Sequence, residues 1–427
     1  TADELDDYSL AKGEEQMAKL KADLATLRSY DRAALDDTLS YDVLDVFLQT
    51  QADGERFRFH DYPLNQLFGI QSSLPSFMAS QHRIAGLSGA EAYVARLREM
   101  PRVAAQVREG MAKREQLGII PPTFVVEKVT AEMQAFVATE PTQNILYTAL
   151  ADKMAKADEA IAETDQQRML ADAEAVIRDQ VYPAYQGWID DYVALLPKTT
   201  GNHGVWALPD GGAFYQHQIR LHTTTDMTPE QVHELGLREV TRIEGEMDAI
   251  LQGEGLAEGT IGERVRTIAA SPDQLYPDTD EGRAQILADY QSMIDTIDAG
   301  LGPYFNVRPT QPVKVERIPE FKEKTSPGAY YQPPALDGSR PGVFYANLRS
   351  VQEIPRFSMR TLAYHEGIPG HHFQLAIQQK IEGVPTFRKL LPFTAYSEGW
   401  ALYSEKLAAE IGFQPTPLDD LGRLQAE

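Results

Sequence analysis

Three of the nine histidines of this chain lie within one short stretch that also carries a glutamate. The stretch reads Tyr364-His-Glu-Gly-Ile-Pro-Gly-His-His372, and Glu366 directly follows His365. Imidazole nitrogens and carboxylate oxygens are the usual ligands of Zn²⁺ in hydrolases, and a glutamate beside a ligand histidine can act as general base. The stretch therefore indicates a zinc site with Glu366 as the base.

The spacing differs from the H-E-x-x-H motif, in which both histidines share one face of a single helix. His371 and His372 follow His365 by six and seven residues. In a regular helix, position i+6 points about 240° away and position i+7 lies roughly 10 Å further along the axis. Pro369 lacks a backbone donor, and glycine tolerates unusual backbone angles. We expect the helix to bulge at 367–370, with His371 as the second ligand and His372 in reserve.

A third ligand is expected, because catalytic zinc commonly keeps three protein ligands and one open position. Residues 395–407 read Ala-Tyr-Ser-Glu-Gly-Trp-Ala-Leu-Tyr-Ser-Glu-Lys-Leu and predict a helix in which Glu398 and Glu405 share a face. We expect Glu398 to bind the metal and Glu405 to orient a ligand imidazole by a hydrogen bond. The alternative is a histidine-rich turn beside two surface glutamates.

Further candidate residues lie upstream of the histidine cluster. A tyrosine hydroxyl could donate to the oxyanion of a transition state, and we assign this catalytic role to Tyr331 and Tyr345. Tyr330 and Arg340 are assigned to substrate binding. For Arg340 the reason is that arginine can hold a substrate carboxylate by two parallel hydrogen bonds. The alternatives are tyrosines that serve only in packing and an arginine that is a surface charge.

The composition excludes several classes of function. A formal net charge of −23 argues against nucleic acid and anionic membrane surfaces as partners. The chain has no cysteine, so a disulfide, a thiolate nucleophile and a thiolate metal site are all excluded. We expect no membrane span, because no apolar run reaches about 18 residues. An exported protein whose signal has been removed is expected, with a cytoplasmic location as the alternative.

The pattern along the chain predicts a mostly α fold. Helical periodicity dominates up to about residue 200. A glycine-rich break at 201–213 suggests a boundary between a helical region, 1–200, and a metal-site region, 201–427. Two β-like runs, 313–318 and 342–347, predict a small sheet near the metal motif.

The chain resembles the bacterial domain-of-unknown-function 885 family, which is grouped with gluzincin-type zinc metallopeptidases. The resemblance rests on the two motifs described above and on four upstream segments: 365–374, 397–405, 327–331, 337–347, 223–236 and 118–122. It implies a large helical metallopeptidase-like fold with a small β-sheet beside the active-site helix. It also implies zinc on His365, a second histidine and Glu398, with Glu366 as base.

The resemblance further implies a mode of substrate binding. In gluzincin-type peptidases the open edge of a strand beside the active-site helix pairs with an extended peptide, as in other strand-addition complexes. The run Gly342-Val-Phe-Tyr-Ala-Asn347 is our candidate for this edge, and Asn347 at its end is assigned to substrate binding. A buried strand of a small sheet is the alternative.

Members of the family usually continue beyond the Glu-Gly-Trp helix, whereas this sequence stops at Glu427. We expect a further C-terminal region, in the same polypeptide or supplied by a second chain. The leading hypothesis is a zinc-dependent hydrolase that cleaves amide bonds of peptides, with short oligopeptides favoured as substrates. The rival hypotheses are a catalytically silent binding protein on the same fold and a zinc hydrolase for a non-peptide amide or ester.

Overall fold

The computed structural model describes residues 3–324, 326–391 and 393–427. The chain divides into two compact units, Thr1–His217 and Gln218–Glu427. The sequence placed a boundary between residues 200 and 201, in the glycine-rich break. The structural division lies further along the chain, inside a helix that spans Gly211–Thr223.

The N-terminal unit is built from helices throughout its described residues. In chain order they are α1 (Leu10–Arg28), α2 (Thr38–Asp53), α3 (Ile70–Ser80), α4 (Leu87–Gln116), α5 (Thr123–Ala138), α6 (Ile145–Ala155), α7 (Glu163–Val176), α8 (Tyr182–Leu195) and α9 (Gly211–Thr223), which contains the boundary. Several helices begin at a polar residue whose side chain accepts a hydrogen bond from the first turn, as Ser9, Asp37 and Asn144 do.

One apolar core fills this unit. The 30-residue helix α4 runs along it and buries one or two residues in each of its central turns, including Tyr93, Leu97 and Met100. Helix α8 packs onto the same core through Trp188, whose indole N–H donates to the carbonyl oxygen of Ala104 at 3.2 Å. The periodic apolar pattern therefore produces an ordinary helical core here.

The C-terminal unit contains the remaining helices and all the described strands. The helices are α10 (Pro229–Gly253), α11 (Ile261–Ala269), α12 (Asp280–Gly300), α13 (Arg356–Glu366), α14 (His371–Lys380), α15 (Thr394–Glu410) and α16 (Pro417–Ala426). Three of them begin with a reciprocal pair of capping hydrogen bonds, at Thr228, Thr260 and Thr416.

A three-stranded sheet lies in the C-terminal unit. It consists of β1 (Val313–Arg317), β2 (Ala329–Gln332) and β3 (Gly342–Ala346), in the order β1-β3-β2. Strand β3 pairs with β1 in parallel and with β2 antiparallel. The prediction of a mostly α fold with a small sheet is confirmed.

The prediction that 342–347 forms an open edge is wrong. All five residues of β3 are buried, and the strand has a partner on each side. A continuous apolar run is typical of a central strand, because both of its faces are covered. The outer strands of this sheet are therefore β1 and β2.

No helix among the described residues is both long enough and apolar enough to cross a bilayer.

Candidate metal centre

The histidine cluster lies at a break between two helices. Helix α13 ends at Glu366 and α14 begins at His371, with residues 367–370 in turns. The Ile368–Pro369 peptide bond is cis. A Cβ atom at Gly370 would overlap the carbonyl oxygen of His365, so only glycine allows this approach. The predicted departure from regular helix is confirmed.

The break brings two imidazoles and a carboxylate together. The Nε2 atoms of His365 and His371 lie 3.6 and 3.5 Å from Oε2 of Glu398. All three candidate ligand atoms lie within 4.8 Å of one another. We refer to His365, His371 and Glu398 as the metal group. Within the described ranges it is the one cluster of three or more such side chains with this spacing.

The metal group fits a zinc ion. Tetrahedral zinc with bonds of about 2.0 to 2.2 Å separates its ligand atoms by roughly 3.4 Å. The observed separations of 3.5 and 3.6 Å are close to that value. The Glu398 side chain is 57% exposed, which leaves one side of the group open. Two imidazoles, one carboxylate and an open side match the ligand set of a catalytic zinc site.

Glu405 orients the first histidine. Its buried carboxylate accepts a 2.7 Å hydrogen bond from Nδ1 of His365, so Nε2 keeps its lone pair for a metal. Burial alone would lower the pKa of His365, but the hydrogen bond to Glu405 and the neighbouring carboxylates outweigh this effect and raise the pKa. In metal sites a carboxylate commonly orients a ligand histidine by a hydrogen bond of this kind.

His371 has a different environment from His365. Burial lowers its pKa to about 4, and the nearby His365 acts in the same direction. Its Nδ1 lies 3.5 Å from the hydroxyl oxygen of Ser397, a long contact compared with the one between His365 and Glu405. His371 is therefore neutral near pH 7, with a lone pair that can bind a metal.

His372 is turned away from the metal group and is fully buried. Its Nε2 lies 3.0 Å from the carbonyl oxygen of Gln311, which can only accept, so Nε2 carries the proton. Its Nδ1 then accepts from the hydroxyl of Tyr331 at 2.8 Å. Both ring nitrogens are occupied, and the geometry favours His371 over the reserve ligand.

Tyr331 lies beside the metal group, but its hydroxyl group donates to His372 and not to any member of the group. Its ring is nearly parallel to that of His371, with centroids 6.5 Å apart. Because the hydroxyl donates to His372, an oxyanion could use it only after that bond is released. Gly342 permits the arrangement, since a Cβ there would lie 2.6 Å from both the Tyr331 hydroxyl and Nδ1 of His372.

Glu366 is buried next to the metal group, with 7% of its surface exposed. Burial raises its pKa to about 7; the charge of His365 acts against this shift, and the carboxylates of Glu398 and Glu405 add to it. A carboxyl group with a pKa near the working pH can both accept and return a proton. This is the property expected of the proposed base.

Comparison with known proteins places this chain in a family. The family model described as "Bacterial protein of unknown function (DUF885)" matches residues 1–427. The chain belongs to this family. No curated protein matches it.

Two solved structures are similar to this DUF885 protein. One is described as "the putative lipoprotein from Colwellia psychrerythraea"; it is 30% identical, with a TM-score of 0.93 over 100% of this chain and 74% of that one. The other, from Shewanella oneidensis, is described as "a putative lipoprotein of unknown function" and is 17% identical, with a TM-score of 0.64 over 99% of this chain and 75% of that one. The second likeness is one of fold alone.

In this DUF885 protein, two of the predicted tyrosines lie away from the metal group. Tyr330 and Tyr345 contact each other, with ring centroids 5.0 Å apart, and pack with Ile318. Side chains alternate along a strand, so these two occupy the sheet face opposite Tyr331. This placement does not favour a catalytic role for Tyr345 or a substrate contact for Tyr330, and both assignments stay predictions.

Asn347 and Arg340 hold loops of the DUF885 fold in place. The buried Asn347 amide group donates to the carbonyl oxygens of three residues, Glu323, Ser326 and Pro327, and its own oxygen accepts from the backbone N–H of Arg349. These bonds tie the Asn347 side chain to the neighbouring loops, and its role in substrate binding stays a prediction. Arg340 donates to the carbonyl oxygens of Pro333 and Pro341; its role in substrate binding stays a prediction.

The sequence reasoning missed the contacts that hold α15 against the helix break. The indole N–H of Trp400 donates to the carbonyl oxygen of Pro369 at 2.8 Å, and the Ser404 hydroxyl lies 3.3 Å from the carbonyl oxygen of Tyr364. The contact between His372 and the carbonyl oxygen of Gln311 was missed as well. Such contacts use backbone carbonyl groups, which every residue has, so no residue pattern reveals them.

Proposed function

We propose that this protein is a zinc-dependent hydrolase that cleaves amide bonds of peptides, with short oligopeptides as the favoured substrates. The observation that carries the proposal is the convergence of His365, His371 and Glu398 next to the buried Glu366. Acid, base and metal-ligand chemistry are concentrated at one helix break. On this basis the protein would act as a gluzincin-type metallopeptidase.

The chemistry divides between the metal and the chain. Bound by the metal group, zinc would lower the pKa of a water molecule and polarise a carbonyl group. The carboxylate of Glu366 would take the proton of the attacking water and deliver it to the leaving nitrogen. Glu405 would hold His365 in the tautomer that keeps Nε2 available.

One edge of the sheet is closed to a peptide. The backbone N–H of Val315 in β1 donates to the side-chain oxygen of Gln291 at 3.1 Å. The Gln291 amide nitrogen also lies 3.4 Å from the carbonyl oxygen of Val313. A side chain of α12 thus takes the place of a fourth strand along β1.

The other edge, β2, supports binding of an extended peptide. The Asn347 N–H bonds to the carbonyl oxygen of Gly328, and hydrogen-bonded pairs alternate in an antiparallel ladder. The backbone groups of Ala329 and Tyr331 consequently point outward, and no hydrogen bond to them occurs in the part of the chain that the structure describes. Since Tyr331 also lies against His371, a peptide paired with β2 would run close to the metal group.

The open edge can be tested separately from the chemistry. Ala329→Pro removes an outward N–H that the sheet itself does not use, and proline is tolerated at such edge positions. We expect KM for a peptide substrate to rise about 5- to 10-fold, the effect of one hydrogen bond, with kcat little changed. An unchanged KM would show that the substrate does not pair with β2.

An exported location is also part of the proposal. Both similar structures carry the description "putative lipoprotein", which is a description of those proteins. Fractionation of cells that produce the full-length protein, with separate recovery of membrane-attached and soluble periplasmic material, tests the location. Recovery in the cytoplasm alone would contradict it.

The function itself is tested by metal analysis and by digestion of a mixed-peptide library read by mass spectrometry. The expected result is one zinc per chain and cleavage that a chelator abolishes. Glu366→Gln should keep the zinc and lose about 10²- to 10⁴-fold in rate. Glu382→Gln, an exposed glutamate in a loop, is the matched control and should behave as the unaltered protein.

Each of the other outcomes would favour a different function or mechanism for this protein. Zinc without cleavage of peptides, esters or small amides would favour a silent binding protein. Cleavage of esters or non-peptide amides alone would place the substrate outside peptides. Full activity of Glu366→Gln would refute the proposed base.

A further inference from the structure

The third ligand of the metal group has no fixed partner of its own. The Glu398 side chain is 57% exposed, and its described contacts are those with His365 and His371 at 3.6 and 3.5 Å. An exposed glutamate samples several rotamers, so ordering it on a metal costs conformational entropy. The position of its helix must therefore determine how well the carboxylate reaches the metal.

Helix α15, which carries Glu398, contacts the helix break between the two histidines. Trp400 is two residues after Glu398, and its indole N–H donates to the carbonyl oxygen of Pro369 at 2.8 Å. Pro369 lies inside the four-residue break between His365 and His371. This hydrogen bond joins the backbone that separates two ligands to the helix that carries the third, and it is the one such bond here that reaches the break itself, while Ser404 and Glu405 of the same helix contact Tyr364 and His365 before it.

The Trp400 ring is itself held in place. It is half-buried and packs against the core of the C-terminal unit, with its centroid 6.3 Å from that of Phe305 and 6.0 Å from that of Tyr403. A packed indole has few rotamers, so its N–H direction is well defined. The bond to Pro369 is therefore a rigid link and not an adaptable one.

We infer that Trp400 is a positioning residue for the metal group: its indole N–H sets the distance between Glu398 and the two histidines. This inference rests on the proposed function, since it assumes that the metal group binds zinc. Partners outside the ligand set commonly change metal affinity by about 10- to 100-fold. Loss of one neutral hydrogen bond belongs at the lower end, about 10-fold.

The test is the zinc affinity of Trp400→Phe, measured by competition with a chromophoric chelator. This variant keeps an aromatic ring and removes the donor. The expected result is about 10-fold weaker binding, together with a changed visible spectrum of the cobalt-substituted protein, which reports the arrangement of the ligands. Trp188→Phe is the matched control, because it removes the same kind of bond, to Ala104, from the N-terminal unit. It should lower thermal stability and leave zinc affinity unchanged.

A double-mutant cycle decides whether Trp400 acts through Glu398. In a Glu398→Ala background, Trp400→Phe should have little further effect on zinc affinity, since the ligand it positions is gone. Additive losses would overturn the inference, because Trp400 would then act independently of Glu398. An unchanged affinity and cobalt spectrum in folded Trp400→Phe would overturn it as well.

Two further results have distinct meanings. If Trp400→Phe fails to fold, benzothienylalanine at position 400 replaces the indole N–H by sulfur with nearly the same ring shape, and the same two outcomes apply. If the unaltered protein binds no zinc, the proposed function fails and the inference falls with it. Zinc binding by the unaltered protein with no effect of the Trp400 donor would overturn the inference alone.

Discussion

The N-terminal unit and the C-terminal unit bury different kinds of side chain. In the described part of the N-terminal unit, the core is one apolar cluster, and its buried residues include a histidine, His82, but no carboxylate and no arginine or lysine. The C-terminal unit buries Glu366, Glu405, His371 and His372 close to one helix break.

The difference supports the proposal that the C-terminal unit carries the chemistry. Burying a charged or polar group costs free energy unless it is paired, and a well-packed apolar group at the same place is often as stable or more so. A contribution to stability therefore does not by itself explain why a carboxylate such as Glu405 is buried and paired here. Their concentration beside His365 favours a functional explanation in the C-terminal unit.

The largest expected effect separates the two adjacent histidines of the C-terminal unit. His371→Ala should weaken zinc binding by more than the roughly 100-fold seen for residues that only support ligands. His372→Ala should keep the zinc and lose stability, because it removes the bonds to Tyr331 and Gln311. Isothermal titration with zinc distinguishes the two. Loss of zinc in His372→Ala with retention in His371→Ala would exchange their roles.

A cavity in the apolar unit should affect stability and not the metal. Leu97 is fully buried in α4, and Leu97→Ala should lower the free energy of unfolding by about 3 kcal/mol. Leu117→Ala, at an exposed leucine just after the same helix, is the control and should change it by less than about 0.5 kcal/mol. Zinc affinity should be unchanged in both. A large fall in zinc affinity in Leu97→Ala would mean that the two units are not independent in function.

Zinc should protect one unit selectively. At a zinc concentration of about 100 times Kd, a ligand that binds only the folded state adds about 2.7 kcal/mol. Hydrogen exchange of amides in α13, α14 and α15 should slow by up to about 100-fold. Amides of α4 and α8 should exchange at the same rate with and without zinc. Equal protection of both units would remove the distinction drawn between them.

The smallest effect concerns the buried histidine of the N-terminal unit. His82 donates from Nε2 to the carbonyl oxygen of Gly89 and accepts at Nδ1 from the guanidinium of Arg96. Burial lowers its pKa from 6.5 to about 4; the Gly89 bond opposes this shift, and the charges of Arg96 and Lys153 add to it.

The unfolded chain therefore binds a proton at His82 between pH 6.5 and 4 while the folded unit does not. The contribution of His82 to the free energy of unfolding is complete above pH 6.5. It is lost as the pH falls from 6.5 toward the folded pKa of about 4, and the loss is about 2 kcal/mol at pH 5. His82→Gln should lose less stability than the unaltered protein between pH 8 and pH 5, measured by denaturant unfolding. Equal losses in both proteins would mean that His82 does not titrate in this way.

The helix break was predictable because its cause is local. Pro369 cannot donate a helix hydrogen bond, and Gly370 is the residue type that fits against the carbonyl oxygen of His365. The six-residue spacing between His365 and His371 also predicted the break, because both side chains can reach one metal only if the helix is interrupted between them. By contrast, the exclusion of His372 from the metal group depends on Gln311 and Tyr331, which are 61 and 41 residues away in the chain.

The sheet shows the same limit. An apolar run such as 342–346 predicts a strand, but its place in the order β1-β3-β2 depends on which strands pair with it. The sequence also does not show which face of the sheet a side chain occupies. For this reason it predicted the same role for Tyr331 and Tyr345. They lie on opposite faces because side chains alternate along paired strands.

The sequence by itself determined the residue types at the site, the helix break, the mostly α class and the absence of thiolate chemistry, because each follows from local geometry or composition. The tertiary structure decided which histidine joins Glu398, which strand edge is open and how Trp400 ties α15 to the break. These features depend on contacts between segments far apart in the chain, many of them to backbone carbonyl groups. Such groups are the same at every position, and only the folded arrangement selects among them.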